Sequence, residues 1–193
     1  MSLRPEFMST EIFELQAFRP TPGAVKVSLV RLSQFWQLEY RLDSAGQPLQ
    51  YQSRFSLSPG SRVDGLWRET CCELFVAGTD SQYLEFNFSP SGHWAAYAFD
   101  APRQGMRLHE WAGDAPRITF TPQPARLQVE LPAAALPNGA LVCIALSVVL
   151  EVDGQHSYWA LRHPGDQPDF HHRDSFVVLP HTWPHTLPHR DIS

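Results

Sequence analysis

Glu73, Glu85 and Asn87 are the side chains of this sequence best placed for binding chemistry, because each stands inside an apolar or aromatic run with Trp67 and Trp94 close by. A strand shows alternate residues to opposite faces, so Tyr83, Glu85 and Asn87 share one face while Leu84, Phe86 and Phe88 share the other. The second face is a core. The first is half aromatic and half acid-amide, which suits a polyhydroxylated ligand: flat rings to stack on, acceptors to fix hydroxyls. Each residue also has a plainer reading. Trp67 either stacks on a ligand or plugs a sheet edge. Glu73, within CCELFV, either pairs with a base such as Arg62 or faces an open site, since an unpartnered buried carboxylate is costly. Glu85 and Asn87 either serve a ligand or face solvent from an edge strand. Trp94, in HWAAYAF, reads as core. Arg103 and Arg107 stand in a loop, where they either close over an anionic ligand or are solvated.

The segment 163–174, HPGDQPDFHHRD, is a second polar cluster, with three histidines and three aspartates in twelve residues. His163, Asp169, His171 and His172 are the alternative ligands for a divalent metal. Their spacing matches no zinc motif, and Pro164 and Pro168 make the segment an irregular loop of the kind that often carries binding residues. Catalysis has no motif behind it. There is no G-x-S-x-G elbow and no glycine-rich phosphate loop. Only Glu73 with Glu85 offers an acid/base pair of the glycosidase kind.

The elements that must position these groups read almost entirely as strands. Apolar alternation marks 25–32, 35–42, 51–57, 70–76, 83–88 and 94–99, with turn clusters between them. A hairpin is expected across the Pro-Gln-Pro turn from 118–121 to 126–131, followed by one helical turn at 132–136. The run 141–152 is nearly unbroken in apolar, β-branched types, so a central strand is expected there. Shorter strands at 158–161 and 175–179 close the chain. Ten to twelve strands with frequent turns predict an all-β, antiparallel β-sandwich of jelly-roll or immunoglobulin-like type, with at most one or two short helical turns.

Composition narrows the function classes. The 193 residues carry a net charge of −5 and no Lys/Arg block, so nucleic-acid binding is not expected. The longest apolar run, 140–150, is too short to span a bilayer and contains Ser147, and no signal-peptide-like stretch opens the chain. A cytoplasmic location is the expectation. The opening MSLRPEF before Met8 resembles a cloning leader, which gives a single domain over 8–180 and an irregular tail over 181–193. The three cysteines form no disulfide framework; adjacent Cys71 and Cys72 read as small buried hydrophobes.

The run Arg62-x-Asp64-Gly65-Leu66-Trp67-x-x-Thr70-Cys71-x-Glu73-Leu74-Phe75, followed by Tyr83-Leu84-Glu85-Phe86-Asn87-Phe88-Ser89-Pro90, resembles the bacterial DOMON-like domain proteins. So do Tyr158-Trp159-Ala160-Leu161-x-His163-Pro164 and Pro168-Asp169-Phe170-His171. Those proteins are relatives of the family-nine carbohydrate-binding modules. The resemblance implies an antiparallel sandwich that binds sugars or, in other branches, haem, for which His163 or His171 would be the axial ligand. It also implies two aromatics holding a sugar, with an acid and nearby amide or basic groups on its hydroxyls. Trp67 and Glu73 are similar to the family's first tryptophan and acid; Trp159 and Phe170 are the two choices for the second aromatic. The expectation is therefore a non-catalytic domain binding a carbohydrate-like small molecule through Trp67, Glu73, Glu85, Asn87, Trp159, Phe170, Arg62 and Arg103, with no cofactor. The alternatives are a glycosidase-like enzyme, a haem- or metal-binding domain, and a protein-interaction module.

Overall fold

A computed structural model describes residues 10–51, 55, 57–78, 80–137 and 143–179. Among them are twelve strands, three single 3-10 turns and no α-helix. The strands are β1 (Thr10–Ala17), β2 (Ala24–Arg31), β3 (Phe35–Asp43), β4 (Cys71–Ala77), β5 (Tyr83–Phe88), β6 (Trp94–Phe99) and β7 (Arg107–Leu108). After them come β8 (Arg117–Pro122), β9 (Ala125–Pro132), β10 (Cys143–Val152), β11 (Gln155–Ala160) and β12 (Val177–Val178). They join edge to edge in the order β7-β6-β5-β4-β10-β11-β1-β2-β3-β9-β8, with β12 also on β10. Every pairing of these strands is antiparallel. The result is one curled sheet rather than two separate ones. Its two halves meet between β1 and β11 at only two residue pairs, Gln16↔Ala160 and Ala17↔Trp159.

Hydrophobic alternation explains why the sheet curls onto itself. Val25, Val27 and Leu29 of β2, Leu38 and Tyr40 of β3, and Leu127, Val129 and Leu131 of β9 all point to one side and are fully buried. They share a single core with Cys72, Leu74 and Val76 of β4, Phe86 and Phe88 of β5, and Ile144, Leu146 and Val148 of β10. Two half-sheets each apolar on one face leave water together by closing on each other. A polar contact crosses this core: the Tyr40 hydroxyl donates to the Glu73 carbonyl at 3.1 Å.

The half-sheet β6-β5-β4-β10 is buried on its second face too. Phe75, Tyr83, Tyr97 and Phe99 there pack with Val63, Leu66 and Phe176 from covering loops. The face carrying Glu85 is thus neither a solvated edge nor a plain core. It is a roofed surface.

Most expected strands occur within a residue or two, and the expected helical turn is the 3-10 turn Ala133–Ala135. β1 was not anticipated. Of the expected strand at 51–57, residues 52–54 and 56 lie outside the described residues, and Tyr51, Phe55 and Leu57 are in no strand. Residues 141 and 142, the opening 1–7 and the tail 181–193 lie outside as well. Cys71, Cys72 and Cys143 are free thiols, the first two buried. No helix among the described residues is long and apolar enough to cross a membrane.

Candidate functional site

Under that roof lies a cavity of about 360 Å³ lined by Trp67, Glu73, Glu85, Phe99, Arg103, Met106, Val149, Tyr158, Pro168, Phe170 and His171. Its floor follows from strand register. Glu73 of β4 lies opposite Ser147 of β10 and Asn87 of β5, and Glu85 stands two residues before Asn87 on the same strand face. The two carboxyls are therefore diagonal neighbours on adjacent strands. They are 2% and 5% exposed.

Each acid is steadied through one oxygen. Ser147 Oγ donates to Glu73 Oε2 at 2.7 Å, and Asn87 Nδ2 donates to Glu85 Oε1 at 2.7 Å. Asn87 is itself oriented by the Cys71 thiol, which donates to its Oδ1 at 3.5 Å. Burial raises the Glu73 carboxyl to about 8, aided by the charge of Glu85. Burial likewise lifts Glu85 to about 7, against the Asn87 hydrogen bond and the charge of Arg103. Near neutral pH the pair therefore holds protons and can both donate and accept.

The walls come from loops. Gly65, at φ 81°, opens the 3-10 turn Leu66–Arg68, a backbone conformation glycine adopts without strain. The turn seats Leu66 in the roof packing and leaves Trp67 at the cavity, 36% exposed and edge-on to Tyr97 at 5.9 Å between ring centres. Tyr97 donates to Asp64 Oδ1, which ties the same loop to β6. Arg103, on the hairpin between β6 and β7, donates through Nε and Nη2 to Asp169 Oδ1 at 3.2 and 2.9 Å. Burial disfavours charge on Asp169, but the guanidinium outweighs it and holds the carboxyl below its ordinary range.

His171 sits against Phe75 and Phe99 at 5.3 and 5.2 Å, with its Nδ1 2.8 Å from the Tyr83 hydroxyl. That hydroxyl also accepts from the Arg103 backbone N–H at 3.1 Å. Burial first, then the Arg103 charge, push His171 down to about 4. Its Nε2 lies 3.9 Å from Glu85 Oε2, beyond hydrogen-bond reach, and a neutral ring makes no ion pair there.

The structure thus brings Trp67, Glu73, Glu85, Arg103 and Phe170 together in one cavity and leaves out three of the expected residues. Asn87 is fully buried behind Glu85, which it orients. Trp159 lies on the opposite strand face, 4% exposed in the central core, with Nε1 donating to Ser157 Oγ. Arg62 stacks on Trp94 and donates to the carbonyls of Ala96 and His109 at a different surface. Of the loop arginines, Arg107 pairs with exposed Asp100 at 2.7 Å, outside the cavity lining.

The four alternative metal ligands do not converge. No group of three or more His, Cys, Asp or Glu among the described residues is arranged to hold an ion. His163 spends Nε2 on the Gln16 carbonyl at 2.8 Å, and His172 Nδ1 caps its own 3-10 turn by accepting from Asp174 N. Of the two histidines expected as axial ligands for haem, His163 commits Nε2 to the Gln16 carbonyl and His171 commits Nδ1 to the Tyr83 hydroxyl, while His171 Nε2 makes no hydrogen bond among the described residues.

Tyr158 and Phe99 were missed although the sequence carried their signal. Val149 pairs with Tyr158 and Val148 with Trp159, so period-two alternation puts Tyr158, not its neighbour, on the face of Val149. Phe99 shares the Tyr97 face by the same count.

Neither a protein-family model nor a curated protein sequence matches the chain. Among solved structures, it is similar to a Bacteroides uniformis protein provisionally described as carbohydrate-binding, with a TM-score of 0.61, 15% identity, and coverage of 87% of this chain and 84% of that one. It is also similar to a family-nine carbohydrate-binding module from Caldicellulosiruptor kristjanssonii, solved with cellotriose, with a TM-score of 0.49, 14% identity, and coverage of 79% and 72%. At these identities the first likeness establishes a shared fold and nothing finer.

Proposed function

We propose that the cavity binds a carbohydrate-like small molecule without transforming it. What carries this reading is the gathering of Trp67, Phe99, Tyr158 and Phe170 around Glu73, Glu85 and Arg103 in one space of about 360 Å³. Small-molecule sites are concave, mostly apolar and fitted with a few polar groups, at roughly 300–1,000 Å³. Ring faces would stack on the apolar side of a sugar. The carboxyl pair, holding protons near neutral pH, would donate to and accept from its hydroxyls. The fold shared with a protein described as carbohydrate-binding lends support.

Glu73 and Glu85 also raise a glycosidase-like reading, since hydrolysis of a glycosidic bond uses two carboxyls flanking that bond. Here both rise from one sheet face on adjacent strands, side by side. That favours gripping one edge of a ligand over bracketing a bond. The finer classification we adopt is a DOMON-like β-sandwich of jelly-roll type, a single domain over 8–180. Three free thiols accord with a reducing compartment such as the cytoplasm.

The test is a panel of mono- and oligosaccharides screened by thermal shift, since a ligand that binds only the native state raises its apparent stability. A hit should change tryptophan fluorescence and be recovered chemically intact. Turnover would transfer the case to the glycosidase. A broad panel with neither shift nor turnover would defeat the reading.

A further inference from the structure

The charge inventory of the cavity is one-sided. Glu73 and Glu85 both line it, and among the described residues no donor reaches Glu73 Oε1 or Glu85 Oε2 within hydrogen-bond distance. The guanidinium that lines it, Arg103, is already engaged by Asp169 through two hydrogen bonds. His171, the other basic side chain there, is hydrogen-bonded to the Tyr83 hydroxyl through Nδ1 and stays neutral near pH 7. Three carboxyls, Glu73, Glu85 and Asp169, thus share the one guanidinium of Arg103, which is hydrogen-bonded to Asp169 alone. Trp67, Phe99, Tyr158 and Phe170 line the same cavity, and an aromatic face turned to a bound cation attracts it.

A neutral sugar would bring only hydroxyl dipoles to those two free oxygens. An ammonium group brings three donors and the missing charge on one atom. Resting on the carbohydrate reading of the same cavity, we propose that its preferred ligand is an amino sugar, with the protonated amine seated between Glu73 and Glu85 and the sugar ring against the aromatic wall. Binding would then drive a proton out of the site, because the carboxyls must ionise to hold the ammonium while burial keeps Glu73 largely, and Glu85 partly, protonated when empty.

Three β-1,4 disaccharides with the same backbone test this by titration calorimetry on the full chain at pH 7: the glucosamine dimer, cellobiose and the N,N′-diacetylated dimer. The free amine should bind about tenfold more tightly than cellobiose, or better, as expected for hydrogen bonds to charged groups. Its enthalpy should vary between buffers of different ionisation heat and so report the released proton, while that of cellobiose should not. The variant Glu73→Gln with Glu85→Gln keeps acceptors for Ser147 and Asn87 and should abolish the preference for the amine. Equal or tighter binding of cellobiose would overturn the inference and leave the broader carbohydrate reading standing. So would a preference that survives in the double variant, or one without proton release in the parent, a measurement that does not depend on the variant folding. If none of the three binds, the inference falls, and the neutral-sugar panel decides the broader reading separately.

Discussion

The buried carboxyl pair should make the protein lose stability as pH rises through neutrality, and Glu73→Gln should remove most of that loss. A carboxyl raised in the native state keeps its proton there after the unfolded chain has released it near the ordinary 4.5, so the native state is progressively disfavoured until the folded value is passed. His171 works the other way, because a depressed histidine gains the native state stability as pH rises from about 4 to 6.5. Above pH 6.5 the carboxyls dominate, with the buried thiols of Cys71 and Cys72, raised by burial, adding to the same fall only at the alkaline end. Between pH 6.5 and 8.5, Glu73 at about 8 loses about 2 kcal/mol and Glu85 at about 7 somewhat under 1 kcal/mol, at about 1.4 kcal/mol per pH unit. Together that is about 3 kcal/mol, or a drop of about 10 °C in Tm for a domain of this size. Glutamine still accepts from Ser147 Oγ, so the substitution deletes the ionisation and keeps the hydrogen bond. Thermal unfolding followed by circular dichroism at half-unit pH steps provides the measurement. The parent curve should fall, the variant should fall by about a third as much, and the variant should be the more stable protein at pH 8.5. A flat parent curve, or a variant that falls as steeply, would refute the electrostatic account of the cavity.

Three further outcomes separate site from scaffold. Trp67→Ala, at a half-open position with one edge-on ring contact, should cost about 1 kcal/mol of stability in chemical denaturation yet lose any ligand-induced fluorescence change. Trp159→Ala should do the reverse in the same two assays: about 3–5 kcal/mol lost from the core, with the tryptophan signal of binding intact where the protein remains folded. Gly65→Ala forces a side chain into φ 81°, which costs about 1–2 kcal/mol, and by shifting the turn that presents Trp67 should weaken ligand binding in a thermal-shift titration.

Period-two alternation made most of this molecule legible beforehand. The split of Tyr83, Glu85 and Asn87 from Leu84, Phe86 and Phe88 follows directly from strand geometry. What alternation does not give is which loop covers a face. Asn87 and Glu85 share a face, yet one is shut behind the other because Phe170, Arg103 and Trp67 arrive from three separate connections. Trp159 was, with Phe170, one of two choices for the second aromatic, but the register with Val149 puts its neighbour Tyr158 on the cavity face. β1 escaped notice because its outward residues include Ile12, 74% exposed, and its inward ones include Glu11, which Arg31 holds at 2.9 Å. That ion pair reverses the usual apolar-in, polar-out signal over the first half of the strand.

The partnership of β4 with β10 also bears on how quickly the cavity can form. Glu73 meets Ser147 across 74 residues of intervening chain, and the cavity lining runs from Trp67 to His171. Pairings this distant in sequence close late, after nearer hairpins such as β2-β3 and β4-β5 have lowered the entropy of loop closure. The binding surface is then assembled after those hairpins. An occupant would leave the folding rate almost unchanged and act by slowing unfolding, so its influence would be read in the protein's lifetime against proteolysis.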